Sequence, residues 1–81
     1  MIVQVKLFAV AKEIAGADSI EIEVAEDATI ADLRARCAAK HPDLSVVLQH
    51  AMFAVNTDYA DDQTQLSPNA EVACIPPVSG G

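Results

Sequence analysis

Two consecutive prolines near the end of the chain fix where a folded domain has to stop. Pro76 and Pro77 hold their own φ near −65° and lack the backbone N–H that a central strand must donate. Each proline also favours an extended conformation in the residue before it. The sequence therefore predicts one folded domain over residues 1–75, followed by a flexible, extended tail over residues 76–81 that reaches roughly 20 Å.

The tail ends in Val78, Ser79, Gly80 and Gly81. Because glycine has no Cβ and tolerates unusual backbone angles, a Gly-Gly end can thread a narrow channel and leaves its carboxyl carbon open on both faces. A merely frayed terminus has the same composition, since chain ends are usually poorly ordered. The Pro-Pro pair and the strand before the glycines favour a functional tail whose reactive group is the Gly81 carboxylate.

The charge of the chain restricts its partners. At 81 residues it forms a single domain with a small core, and its net charge of −7 argues against binding nucleic acid or an anionic membrane surface. An acidic surface suits a protein partner with a basic docking face, and it serves equally well to keep a small protein soluble. No apolar stretch approaches a membrane span or a signal-peptide core, so we expect a cytoplasmic protein.

The cysteines and histidines predict neither a metal site nor a disulfide framework. Cys37 and Cys74 form no CxxC motif, and neither His41 nor His50 stands at metal-ligand spacing from them. Motifs of hydrolases, kinases and nucleotide-binding sites are also missing from the sequence. We therefore expect no bound metal or cofactor and no catalytic centre in this chain, whose own C-terminal carboxylate would be activated by another protein.

Alternation of apolar and polar residues predicts the strands. Val3, Val5 and Leu7 share one face of a first strand, whereas Phe8 is a large aromatic residue on the polar face. Phe8 either packs against the segment that follows or is exposed as a partner anchor, and the pattern does not separate the two. If the last strand lies beside the first, Ile75 joins Phe8 in an apolar patch at the root of the tail. The other predicted elements are a helical turn at 9–15 and strands at 19–24, 51–56, from Tyr59 onwards and 71–75.

One main helix is predicted between two polar breaks. Thr29 fits an N-cap with Asp32 three residues on, and the helix should end before Pro42. Asp32 and Arg36 are spaced to form an i,i+4 ion pair. The stripe that faces the core consists of Ile30, Leu33 and Cys37. The residues placed on or near the solvent side are Arg34, Arg36 and Lys40.

The order of these elements predicts the fold class. A β-β-α-β-β-β succession, with a turn at Thr57-Asp58 between the third and fourth strands, gives an α+β roll. In this architecture a mixed sheet of four to five strands packs on one main helix. The sequence shows no internal repeat, no linker and no second domain.

Several short stretches, taken in order, resemble one known family. They are Leu7-Phe8-Ala9, Lys12-Glu13, Gly16, Thr29-Ile30, Leu33, Val55-Asn56, Leu66, Glu71-Val72-Ala73 and the ending Ile75-Pro76-Pro77-Val78-Ser79-Gly80-Gly81. Their order, the length of the chain and this ending make it similar to the small subunits of molybdopterin synthase. These are the sulfur carriers of molybdenum cofactor biosynthesis, and the resemblance implies their ubiquitin-like β-grasp fold.

The resemblance also implies a chemical cycle at Gly81. An ATP-dependent, E1-like activating enzyme adenylates the carboxylate, and sulfur from a cysteine desulfurase or a rhodanese-type protein replaces AMP to leave a thiocarboxylate. The tail then enters the large subunit, which holds the catalytic residues, and its sulfur passes to cyclic pyranopterin monophosphate to build the dithiolene of molybdopterin. The tail residues placed in the partner channel are Pro76, Pro77, Val78, Ser79 and Gly80.

The family has further implications for assembly. Phe8, Leu66 and Ile75 match its subunit-interface positions, and the implied assembly is a heterotetramer of two small and two large subunits. Three alternatives stay open: a thiamine-type sulfur carrier, a ubiquitin-like modifier conjugated to lysines through Gly81, and an interaction module with an inert tail. The Pro-Pro-Val-Ser context and the length favour the molybdopterin pathway.

Overall fold

A computed structural model of the chain describes residues 1–77. It contains five strands and three α-helices in those residues, with one 3₁₀ turn at Pro42–Leu44. The strands are β1 (Ile2–Leu7), β2 (Ser19–Glu23), β3 (Met52–Val55), β4 (Asp58–Ala60) and β5 (Val72–Ile75). The helices are α1 (Ala9–Ala15), α2 (Ile30–Lys40) and α3 (Ser45–His50). No helix among these residues is long and apolar enough to cross a bilayer.

The five strands form one mixed sheet in the order β2-β1-β5-β3-β4. β1 and β5 are parallel neighbours, and the other three pairings are antiparallel. A parallel pair cannot be joined by a tight turn, and the long connection between β1 and β5 includes α2, which packs on one face of the sheet. This is the β-grasp topology, so the predicted fold class is confirmed.

The core lies between α2 and the inner face of the sheet. Val3, Val5 and Leu7 are buried along β1, as the alternation predicts, and Phe53 is the largest fully buried side chain. Burying a side chain of this size contributes about 1.5–3 kcal/mol, so a small set of residues supplies most of the apolar stabilisation. The residues that α2 adds are the predicted ones, Ile30, Leu33 and Cys37.

The start of α2 confirms the predicted capping box. The Asp32 backbone N–H donates to Thr29 Oγ1 at 3.4 Å, and the Thr29 backbone N–H donates to Asp32 Oδ2 at 3.0 Å. The predicted ion pair of Asp32 with Arg36 is wrong, because the Asp32 carboxylate is engaged at the cap. Arg36 Nε instead donates to the Glu23 carbonyl at 3.3 Å, along the outer edge of β2.

Arg34 is not the solvent-facing residue that helical spacing predicted. Its side chain is only 23 % exposed, and Nη2 lies 2.8 Å from the Asp62 carboxylate. Nη1 donates to the carbonyls of Leu48 and Ala51, and the guanidinium carbon lies 4.9 Å from the centre of the Phe53 ring. Arg34 therefore joins α2 to the end of α3, the start of β3 and the loop after β4.

The hairpin between β3 and β4 turns one residue earlier than predicted. Val55 pairs with Asp58, which leaves Asn56 and Thr57 as the two loop residues. Both have positive φ, 50° and 74°, as a type I′ turn requires. Asn tolerates this region, whereas a β-branched residue such as Thr does so at a steric cost.

Replacing Thr57 with glycine is therefore expected to stabilise the protein by about 1 kcal/mol, because glycine has no Cβ to clash at positive φ. Urea unfolding followed by circular dichroism measures the change. Thr57→Val is the matched control, since it keeps the β-branch and should give no gain. Equal stabilities for Thr57→Gly and Thr57→Val would contradict this account of the turn.

Candidate functional site

The C-terminal tail leaves the fold from the middle of the sheet. β5 lies between β1 and β3 and ends at Ile75, after which Pro76 is buried and Pro77 is exposed. Because β1 runs parallel to β5 and β3 antiparallel, the end of β1 and the start of β3 flank this exit. Val78, Ser79, Gly80 and Gly81, predicted to form the rest of the tail, lie outside the described residues.

An apolar surface surrounds the exit, and we call it the exit patch: Phe8, Met52 and Ile75. Met52 pairs with Ile75 across β3 and β5, and Leu7 pairs with Cys74, which places Phe8 level with Ile75. Phe8 is 45 % exposed and Met52 is 52 % exposed, while Ile75 is half-buried between them. Clustered apolar side chains at a surface mark an interaction site more often than scattered ones do.

The local backbone explains why Phe8 is at the surface. Phe8 keeps an extended conformation, with φ −128° and ψ 156°, so its side chain follows the outward alternation of β1. Ala9 then takes a positive φ of 51° and turns the chain into α1. Of the two readings that the sequence left open for Phe8, the structure supports exposure, and Phe8 and Ile75 lie on the same sheet face as predicted.

Leu66, the third predicted interface residue, lies elsewhere. It is only 3 % exposed and belongs to the core, and its backbone N–H donates to the Ala28 carbonyl at 2.8 Å. It offers almost no surface to a partner in this conformation, because the loop that carries it is tied beneath the start of α2. Sequence reasoning missed Met52 as a member of the exit patch. The alternation of β3 was a usable signal, because it places Met52 on the face of the sheet opposite to that of the buried Phe53.

A second row of residues continues the outer face of the sheet next to the exit patch. Lys6 pairs with Ala73, Ala73 with Ala54, and Ala54 with Tyr59 across four strands. Between Lys6 and Tyr59 the row is low, since Ala73 is half-buried and Ala54 is buried, whereas Tyr59 is 66 % exposed. The exit patch and this row make the outer face suited to contact with another protein.

The described residues hold no reactive thiol. Cys37 and Cys74 are buried, and their removal from water raises the pKa of Cys37 to about 12 and that of Cys74 to about 11. The neighbouring Cys74 raises the pKa of Cys37 further, whereas Arg34 opposes the rise at both thiols. Both thiols therefore stay protonated at neutral pH, as core residues do. Among residues 1–77, no group of His, Cys, Asp and Glu is arranged to hold a metal ion.

These pKa values predict alkaline destabilisation. The folded-state pKa of each thiol lies above its ordinary value of 9.0, so the stabilisation is complete below pH 9 and is lost as the pH rises towards 11 and 12. We expect the free energy of unfolding to fall over this range, and to fall less steeply in Cys37→Ala and Cys74→Ala. Urea titrations at several pH values measure the slopes, and identical slopes in all three proteins would contradict the assignment.

Comparison with known proteins agrees with this fold. The ThiS family profile matches residues 5–81. A molybdopterin synthase sulfur carrier subunit of Chlamydomonas reinhardtii is 39 % identical over 83 residues, with all of both chains covered. The crystal structure of small archaeal modifier protein 1 from Haloferax volcanii superposes with a TM-score of 0.86 at 31 % identity, again over all of both chains.

A third comparison comes from an assembly. The chain is also similar to a chain of the solved complex of subunits 1 and 2 of the molybdopterin-converting factor from Helicobacter pylori, with a TM-score of 0.70, 28 % identity and full coverage of both chains. The family predicted from the ending and the ordered motifs is thus confirmed over nearly the whole sequence. The chain belongs to the ThiS family, together with the molybdopterin synthase sulfur carrier subunits that it matches along its full length.

Proposed function

We propose that this chain is the sulfur carrier subunit of a molybdopterin synthase and that Gly81 carries the sulfur. The observation behind the proposal is the full-length match to sulfur carrier subunits in a chain that ends Pro-Pro-Val-Ser-Gly-Gly. That match also favours the molybdopterin pathway over a thiamine-type carrier. The geometry agrees, since the tail starts from a central strand whose end is surrounded by exposed apolar side chains.

The chemistry takes place at the Gly81 carboxyl carbon. A carboxylate is a poor electrophile, so an ATP-dependent activating enzyme first joins it to AMP and releases pyrophosphate. The terminal sulfur of a persulfide donor then attacks the acyl-adenylate and displaces AMP, and a thiol reductant cleaves the resulting acyl disulfide to leave a thiocarboxylate. This group donates its sulfur to cyclic pyranopterin monophosphate in the active site of the large subunit, and two deliveries complete the dithiolene. The carrier supplies the sulfur and places it in the active site, and the large subunit supplies the catalytic residues.

The fold provides the docking surface for the large subunit and directs the tail towards it. The Helicobacter pylori neighbour was solved as a complex of subunits 1 and 2, which supports a large subunit as the partner of this chain. We assign the docking face to the exit patch, because a partner seated on Phe8, Met52 and Ile75 would lie directly over the start of the tail. Pro76 and Pro77 then direct the tail into the partner's channel, and two carriers on a dimer of large subunits form the heterotetramer.

Phe8→Ala tests the docking face. Loss of an aromatic anchor is expected to weaken binding to the large subunit by about 1–2 kcal/mol, or roughly 5- to 30-fold, without changing the fold. Calorimetry with the large subunit from the same organism measures the affinity. Val46→Ala is the matched control, because Val46 is also exposed and apolar but lies on α3, away from the exit patch. An unchanged affinity for Phe8→Ala would remove Phe8 from the interface.

A reconstituted reaction tests the function itself. Molybdopterin is expected to form from a mixture of carrier, activating enzyme, ATP, a persulfide donor, a thiol reductant, large subunit and cyclic pyranopterin monophosphate. Omission of the carrier or of ATP should stop its formation. The matched control supplies carrier that already bears a thiocarboxylate, which should remove the need for ATP and the activating enzyme. Product formation at the same rate without any carrier would refute the proposal.

A second function is supported by one specific observation. The superposition on small archaeal modifier protein 1 covers all of both chains, so this fold and ending also suit a modifier joined through Gly81 to lysines of other proteins. Both functions share the activation step and differ in the acceptor. Digestion of cell extract after glutamate would separate them, because a modifier leaves its residues 72–81 joined through Gly81 to acceptor lysines and a dedicated sulfur carrier does not.

A further inference from the structure

Lys6 stands apart from the other basic residues, whose charges are used within the fold. The chain has five lysines and arginines in total. Lys12 Nζ lies 2.8 Å from Asp18 and Arg34 lies 2.8 Å from Asp62, while Arg36 and Lys40 donate to the carbonyls of Glu23 and Glu21. Within residues 1–77, Lys6 forms no such hydrogen bond or ion pair, although it is exposed.

The position of Lys6 is not one that edge protection explains. Lysines often sit on edge strands, where they discourage pairing with another sheet. β1 is an inner strand with β2 on one side and β5 on the other, so Lys6 has no open edge to protect. Its side chain belongs to the outer face, in the row with Ala73, Ala54 and Tyr59 and beside the exit patch.

A partner that covers the exit patch also reaches Lys6. Lys6 and Phe8 are two residues apart on one extended segment, which separates their Cα atoms by about 7 Å. The alanines next to Lys6 do not project far enough to keep a partner surface away from it. An ammonium group that loses its water without an opposite charge is strongly unfavourable, so a partner seated here must compensate it.

Among the described residues no carboxylate forms an ion pair with Lys6, although the charge of Lys6 adds to the larger effect of Lys12 in lowering the pKa of Asp18. Asp18 follows the α1–β2 turn and is held by Lys12. Glu21 pairs in register with Gln4, one step along the outer face from Lys6, and Glu71 lies at the same level on the other side, where its backbone bonds Asn56. These carboxylates keep the surroundings of Lys6 acidic, which makes Lys6 a single positive position on the docking side of a protein of net charge −7.

We propose that the large subunit presents a carboxylate to Lys6, about 7 Å from the pocket that receives Phe8. The inference rests on the docking face assigned above. Around that carboxylate the partner's surface is basic, to match the acidic chain. The ion pair between Lys6 and this carboxylate sets the register of docking. The partner's carboxylate is attracted where it faces Lys6, and at neighbouring positions the carboxylates of this chain repel it.

Charge variants test the pair by calorimetry with the large subunit. We expect Lys6→Met, which keeps the apolar stem, to weaken binding about tenfold, and Lys6→Glu to weaken it at least another fivefold. Lys12→Met is the matched control, since it removes the same charge from α1 and should change the affinity by less than about twofold. The difference between wild type and Lys6→Met should also shrink in high salt.

Each outcome bears on a different claim. Lys6→Met binding as tightly as wild type, while Phe8→Ala binds more weakly, would overturn the pair and leave the docking face in place. Equal losses in Lys6→Met and Lys12→Met would also overturn it, because net charge alone would then explain the effect. A wild-type chain that does not bind the large subunit would remove the proposed function and the inference together. Circular dichroism of each variant verifies that its fold is intact.

Discussion

Removal of Gly81 is expected to abolish sulfur transfer while the domain keeps its fold. The deletion moves the terminal carboxylate back by one residue, about 3.5 Å, which is far outside the tolerance of an attacking group in an active site. The core lies entirely within the domain, and the described strands end at Ile75, so stability should not change. The measurements are molybdopterin formation in the reconstituted reaction and thermal unfolding of the same protein.

Ser79→Ala is the matched control for this deletion, since it changes the tail but keeps its length and its terminal carboxylate. It should retain most of the activity. Full transfer by the chain that lacks Gly81 would show that the last residue is not the sulfur carrier. Loss of the folded signal in circular dichroism would show instead that the tail contributes to the domain.

Arg34→Met is expected to lower the free energy of unfolding by about 2–3 kcal/mol. The substitution removes the donor to the Leu48 and Ala51 carbonyls, the partner of Asp62 and the cation beside the Phe53 ring. A hydrogen bond from a charged group is worth about 1.5–3 kcal/mol, whereas the partly exposed Asp62 pair adds less than about 1 kcal/mol. Urea unfolding measures the change.

Arg36→Met is the control for Arg34, because Arg36 is exposed and makes a single 3.3 Å hydrogen bond to Glu23. It should cost less than about 0.5 kcal/mol. Equal losses in the two variants would mean that Arg34 acts only as a helix-forming surface residue. Arg34→Lys should recover part of the loss, since an ammonium cannot reproduce the planar fork that serves two carbonyls and a carboxylate together.

The sequence predicted those features that a local pattern decides. The buried residues of β1 and α2, the Thr29 cap and the end of α2 before Pro42 all depend on periodicity or on backbone chemistry within a few residues. The α+β roll followed from the order of these elements, and the β-grasp class from the resemblance to the small subunits of molybdopterin synthase. The exit of the tail beside Phe8 was also predicted. Once β1 and β5 are neighbours, the alternation of side chains along the strands places Ile75 on the same sheet face as Phe8.

The errors at Arg34 and Asp32 have different physical causes, which are partners distant in sequence and competition between two local partners. Helical spacing left Arg34 near solvent, but α3, β3 and the loop at Asp62 come together around it, 14 to 28 residues away in the chain. Asp32 had two possible partners, Thr29 and Arg36. It bonds Thr29, because the capping box satisfies backbone donors at the start of the helix. Leu66 lies in a loop without periodicity, so nothing local indicated that it is buried, and its role at the subunit interface stays a prediction.

The central claim is that Gly81 carries a thiocarboxylate, and mass spectrometry of the C-terminal peptide tests it most directly. The chain is produced together with its own activating enzyme and cleaved after Glu71, which gives a peptide of residues 72–81 without Met1 or Met52, whose oxidation adds nearly the same mass. We predict that one oxygen is replaced by sulfur, with fragment ions placing the change at Gly81 rather than at Cys74. An unmodified Gly81 carboxylate in protein made with an active activating enzyme and sulfur donor would contradict the account.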